Sequence, residues 1–281
     1  LQADLTRSAP LDDLLTGCQV VVHCAALSSP WGLAQDFERV NRVATERLLE
    51  AAERTNIHRF VFVSTPSLYH GCGSRISVRE DEPLPPPVND YARTKGEAEA
   101  RVQLAGSRGL ETVILRPRAI FGPGDTTLIP RLLRALETGR LPIIGEGTNL
   151  ADFTYVDNAA DAVALACPYG VGQPRGIFNV TNDEPVALWH LLSELAQRLG
   201  YAAPRRRISR RAAMAIATAS EFVARLRPGR PEPMLTRYGV QVLADTMTLD
   251  ITRAKHLLGY RPRVSMAEGL DRLIASLEEC P

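Results

Sequence analysis

The sequence is expected to fold as an α/β protein, a Rossmann-like parallel sheet with crossover helices joined to a smaller, mostly helical substrate-binding region. Two observations carry this expectation. Short apolar runs alternate with longer stretches of helical periodicity, the order that parallel strands and their crossovers impose. The 281 residues are 45% hydrophobic, enough to bury one large core or two modest ones.

The elements follow in order. The opening segment, Leu1-Gln2-Ala3-Asp4-Leu5-Thr6, reads as the end of a strand. It shows no basic region followed by an apolar stretch, hence no secretory leader, and it does not begin with methionine; the natural chain is expected to start earlier. Val20-Val21-Val22-His23-Cys24 forms the next strand. Residues 34–55 form a helix, since Val40, Ala44, Leu48, Ala51 and Ala52 recur at spacings of three and four and give one face to lay on a sheet. A strand at 59–63 ends in the hydroxyl-rich Ser64-Thr65-Pro66-Ser67. Pro83 to Pro87 make a rigid loop that aims a helix over 90–107, capped by Asn89 or Asp90. Thr112-Val113-Ile114-Leu115 is a further strand. Beyond Arg116-Pro117 the glycines of 122–124 and 145–147 punctuate short elements, and Ile177-Phe178-Asn179-Val180 returns to the sheet. The sheet domain is therefore placed at 1–117 with 151–180, and the second region at 118–150 with 181–281.

Composition excludes several functions. A net charge of +1 offers no footprint for nucleic acid. Cys18, Cys24, Cys72, Cys167 and Cys280 are odd in number and hold no Cys-x-x-Cys pair, so neither a disulfide framework nor a zinc site is expected, and a reducing cytoplasm fits. The five histidines show no ligand spacing, and no metal is expected. No run is long enough to span a bilayer. Residues 210–227 carry Ile216, Ala219, Val223 and Leu226 at helical spacing beside Arg210, Arg211, Arg225 and Arg227. Such a helix can lie on an anionic membrane surface, but packing of the stripe on the domain is the expectation preferred here.

One pair of residues stands out chemically. The chain has two lysines against thirty-one arginines, and one of them, Lys95, follows Tyr91 by four positions. With seven tyrosines, chance would supply roughly 0.05 such pairs. Four residues apart on a helix, the phenol and the ammonium share a face. A surface hydrogen bond is the plain alternative. A free tyrosine has a pKa of about 10, and bringing it to neutrality takes about 4 kcal/mol of preferential stabilisation of the phenolate, within reach of a shielded ammonium and a second positive charge. Thr65, at the mouth of the preceding strand, can add a hydroxyl, although turn chemistry alone would also place hydroxyls there.

Taken together, Val22-His23-Cys24-Ala25-Ala26, Val63-Ser64-Thr65, Tyr91-x-x-x-Lys95 and Leu115-Arg116-Pro117 with Phe121-Gly122-Pro123 resemble the extended short-chain dehydrogenase/reductase superfamily. Residues 149–158 and 178–185 look like its 3β-hydroxysteroid dehydrogenase branch, which includes sterol-4α-carboxylate 3-dehydrogenases and bacterial 2-alkyl-3-ketoalkanoate reductases. The resemblance implies NAD or NADP as cofactor and an apolar sterol-like or β-keto acid substrate interconverted between secondary alcohol and ketone. It makes Tyr91 the general acid/base, Lys95 the residue that binds the nicotinamide ribose and lowers the tyrosine's pKa, and Thr65 the holder of the reacting oxygen. Asp4 and Leu5 would contact adenine, Cys24, Ala25 and Ala26 would lie along the cofactor, and Pro117 would stand beside the nicotinamide. It also implies a homodimer through helices, one of them carrying Tyr91.

Two departures qualify the match. Ala44 stands where the family has glycine, with a slight effect on helix packing expected. No Gly-x-x-Gly-x-x-Gly segment occurs anywhere, so the backbone cradle for the pyrophosphate is missing and the sheet is expected to show an open edge. Weak cofactor binding is expected unless another polypeptide supplies that part. A nucleotide-sugar epimerase or dehydratase is the enzymatic alternative; Ala151 argues against it, standing where sugar-nucleotide members place an arginine for the diphosphate. A truncated, non-catalytic family member is the other alternative.

Overall fold

The computed structural model describes residues 3–7, 10–139 and 141–278. After a short helix α1 (Leu11–Leu15), strand β1 (Val20–His23) leads to α2 (Ala34–Phe37) and α3 (Ala44–Arg54), which are joined by a π-helical turn at Glu38–Val43. Strand β2 (Arg59–Val63) runs into a single 3₁₀ turn at Pro66–Tyr69, then β3 (Arg75–Val78), the long helix α4 (Asp90–Ser107) and β4 (Glu111–Pro117). The middle of the chain holds β5 (Ile120–Phe121), α5 (Leu128–Glu137), β6 (Ile143–Ile144), β7 (Leu150–Ala151), β8 (Thr154–Tyr155), α6 (Val156–Ala166) and β9 (Gly176–Val180). There follow β10 (Val186–Ala187), α7 (Leu188–Arg198), β11 (Arg207–Ile208), α8 (Arg210–Leu226), α9 (Arg237–Ala244), β12 (Met247–Leu249) and α10 (Met266–Glu278).

The central sheet has the order β1-β2-β4-β9 and is parallel throughout. Strand side chains alternate between its faces with period two. Phe60, Phe62 and Ile114 face α3 and α4 with Leu48, Ala52, Ala98 and Val102. Val61, Val113, Leu115 and Phe178 face the other way, onto Ala162, Ala166, Ile251 and Tyr260. Both faces are covered, which is why these strands read as continuous apolar runs. The expected parallel sheet is thus observed, with β9 returning beside β4, and among the described residues β1 forms an edge.

Three details differ from expectation. Asp4 and Leu5 are not in a strand: the Asp4 carboxylate accepts from the Thr6 amide at 2.9 Å and the Thr6 hydroxyl at 2.7 Å, a local turn that competes with strand pairing. The helix at 34–55 is broken by its π turn, which rolls Asn41 inward. The apolar stripe of α8 does not pack. Its buried face is Ala213, Ala217, Glu221 and Ala224, where small side chains allow close approach, whereas Ile216, Phe222, Val223 and Leu226 are exposed. Among the described residues no helix is long and apolar enough to cross a membrane.

Candidate active site

The site is built at the carboxyl ends of β1, β2 and β4, where an open parallel sheet binds its ligands. Beyond β2, Thr65 caps the 3₁₀ turn, its Oγ1 accepting from the Ser67 amide at 3.1 Å, with Pro66 preset for the first turn position. Ser64 is committed elsewhere: its hydroxyl donates to Glu99 Oε2 at 2.7 Å. Thr65 is therefore the strand-end hydroxyl turned to the cavity.

Helix α4 presents Tyr91 and Lys95 on one face, as their spacing requires. Asn89 caps it, accepting from the Ala92 amide at 2.8 Å. Asn41, carried in by the π turn, accepts from the Leu27 amide at 2.7 Å and donates to Leu27 O and Thr94 Oγ1 at 3.2 Å. It ties the β1 exit loop to α4 and sets that loop beside the tyrosine.

Lys95 is 2% exposed. Its Nζ donates to Val63 O at 2.6 Å and lies 4.0 Å from the Phe62 ring centre. Burial pulls its pKa down to about 7 against the opposing pull of Glu99. Such a position suits a compact ammonium better than a guanidinium fork. At Tyr91, burial raises the pKa while hydrogen bonding with Thr65 and Ser28 lowers it. The ammonium is held by Val63 O and the Phe62 face rather than by the phenol.

A cavity of about 590 Å³ joins Thr65, Tyr91, Lys95, Cys24, Ala26 and Pro117. Its far walls are mostly apolar, with Leu128, Leu132, Leu191, Leu195, Phe153 and Met266 among them; Arg131, Asp152 and Glu232 also line it, and Ala151 supplies no charge. Asp4, Leu5 and Ala25 do not line it. Four further residues extend the site. Thr65 Oγ1 donates to Ser67 Oγ at 3.0 Å, Ser67 Oγ lies 2.8 Å from the Tyr238 hydroxyl, and Arg118 approaches both Tyr238 and His70, the latter at 3.2 Å. Ser67 belonged to a legible hydroxyl cluster, but Tyr238 gave no local signal, being 171 residues from Ser67 and brought in by α9.

A family model described as "NAD dependent epimerase/dehydratase family" matches residues 1–181. The "3beta-hydroxysteroid-dehydrogenase/decarboxylase isoform 1" of Arabidopsis thaliana is 35% identical over 98% of this chain, which spans 66% of that protein. The "2-alkyl-3-oxoalkanoate reductase" of Stenotrophomonas maltophilia is 34% identical over 98% of this chain and 86% of its own length. Among solved structures, "MoeE5 in complex with UDP-glucose and NAD" superposes with a TM-score of 0.76 at 27% identity, covering 99% of this chain and 85% of that one.

Proposed function

We propose that this chain, which belongs to the NAD dependent epimerase/dehydratase family, is an oxidoreductase that interconverts a secondary alcohol and a ketone on an apolar small molecule. The observation that carries this reading is the convergence of Thr65, Tyr91 and Lys95 on one cavity whose other walls are mostly hydrocarbon. Nucleotide-sugar chemistry is less well served, because Ala151 leaves a diphosphate without a charged partner at that wall.

The residues present suit the nicotinamide-ribose half of the cofactor. Lys95 has N–H bonds to spare beyond the one given to Val63 O, the donor set that ribose hydroxyls take, and Cys24, Ala25, Ala26 and Pro117 would flank this half. Asp4 and Leu5 would stand on the adenine side, and 1–117 with 151–180 would form the nucleotide domain. The bound nicotinamide supplies the hydride acceptor or donor. Thr65 holds the reacting oxygen. Tyr91 takes the proton from the alcohol or returns it to the developing alkoxide, and its raised pKa favours the protonated, donating form.

Tyr91→Phe tests the assignment. The variant is expected to fold like wild type and to lose turnover by about a hundredfold or more. Retained turnover would remove the phenol from the mechanism.

A further inference from the structure

Charge is spread unevenly along this chain. Residues 205–230 hold eight arginines and one glutamate, a net charge of +7 inside a protein whose total is +1. The glutamate is already spent, since Glu221 pairs with Arg237 at 2.9 Å, and Arg210 is matched by Asp245 at 2.8 Å. Arg205, Arg206, Arg207, Arg211 and Arg227 are exposed and have no carboxylate within ion-pair distance among the described residues.

The same stretch carries the apolar stripe that α8 leaves outside. Phe222 is 64% exposed and Leu226 71%, with Ile216 and Val223 about half in water beside them. At 3.6 residues per turn these four share the side of α8 opposite its buried alanines, with Arg211 at the margin of the stripe. Large side chains gathered on one wet face mark a surface that is covered in use. A turn closed by the Arg230 amide on Arg227 O at 3.1 Å leads from α8 to Met234, which is 83% exposed and also lines the reaction cavity. The chain thus carries the exposed apolar run from α8 to the rim of the site.

We propose that α8 and the segment 227–234 dock on an anionic phospholipid surface, with Phe222 and Leu226 entering the acyl boundary and the arginines meeting lipid phosphates. Among the described residues no helix can cross a bilayer, so the contact lies in the plane of the interface. Guanidinium forks match phosphate oxygens, and their long stems let the charge reach the headgroups while the stripe sinks below them. The other occupants fit less well. A second copy would set a strongly positive face against itself, and a nucleic acid would use the arginines but leave the stripe in water.

The test is flotation of the full chain with vesicles of phosphatidylglycerol and phosphatidylcholine in equal parts, against vesicles of phosphatidylcholine alone. Wild type is expected to bind the anionic vesicles at least about tenfold tighter, and added salt should weaken that preference. The double variants Phe222→Ser with Leu226→Ser and Arg211→Glu with Arg227→Glu should each lose about tenfold or more. All four side chains are exposed, so both variants should unfold in urea as wild type does. Wild type left unbound by anionic vesicles, or either folded variant binding them as well as wild type, would overturn the proposal. So would a concentration-dependent dimer abolished by the serine pair, or binding of a short DNA duplex as tight as that of the vesicles and indifferent to the serine pair. Flotation involves no turnover, so its outcome and that of the alcohol–ketone reading are independent.

Discussion

Lys95 makes the stability of this protein depend on alkaline pH in a way that can be isolated by one substitution. The ammonium is buried beside Phe62 with one oxygen partner, and its pKa falls from the ordinary 10.5 to about 7. Between those values the unfolded chain holds a proton that the folded chain has released. Stability therefore rises with pH across the interval, and it is lowest below about 7, where folding must bury the charge. One proton of difference is worth about 1.4 kcal/mol per pH unit, so from about pH 7.5 to about pH 9.5 the gain is about 2 kcal/mol. In Lys95→Met, which keeps the length and removes the titration, that increment should vanish. Urea unfolding at the two pH values measures it, and comparison with the variant cancels the other alkaline titrations, including Tyr91 and Cys24. Parallel pH profiles for wild type and Lys95→Met would refute a depressed Lys95 pKa.

Further outcomes follow from other contacts. His23 and His70 are both held neutral to about 3 by burial, so the unfolded chain binds more protons below the ordinary 6.5 and stability is lost on acidification; Asp152, raised to about 6, works in the opposite direction. His70→Gln should flatten the acid limb of the unfolding profile by about 1.4 kcal/mol per pH unit, and an unchanged limb would mean that His70 titrates normally. Glu99→Ala should cost about 3–5 kcal/mol in urea unfolding, since it strands the buried Arg116 and the Ser64 hydroxyl; a loss below about 1 kcal/mol would show that water replaces the carboxylate. The sequence contains no glycine-rich cradle, so calorimetry of this chain with NADH should give weak binding, and micromolar affinity would contradict it.

The sheet was legible because both its faces are covered: strands such as Phe60-Val61-Phe62 and Val113-Ile114-Leu115 must be apolar throughout, and that leaves a plain mark in sequence. Tyr91 and Lys95 were legible because a helix turns an interval of four into a shared face. The rest depends on tertiary distance. Tyr238 joins Ser67 and Arg118 only because α9 packs over the strand ends, and no local pattern encodes that packing. Helix α8 misled for a related reason: its large apolar residues recur at helical spacing, yet the face that packs is the alanine face, because a crowded site selects for small volume rather than hydrophobicity.

The most direct test of the site is hydride transfer itself. Nicotinamide absorbance is followed when the chain is mixed with excess NADH and a 3-oxo acid, wild type against Tyr91→Phe and Thr65→Val. Wild type is expected to oxidise the cofactor, with both variants slower by about a hundredfold or more. Equal rates in wild type and Tyr91→Phe would contradict a phenol at the reacting oxygen.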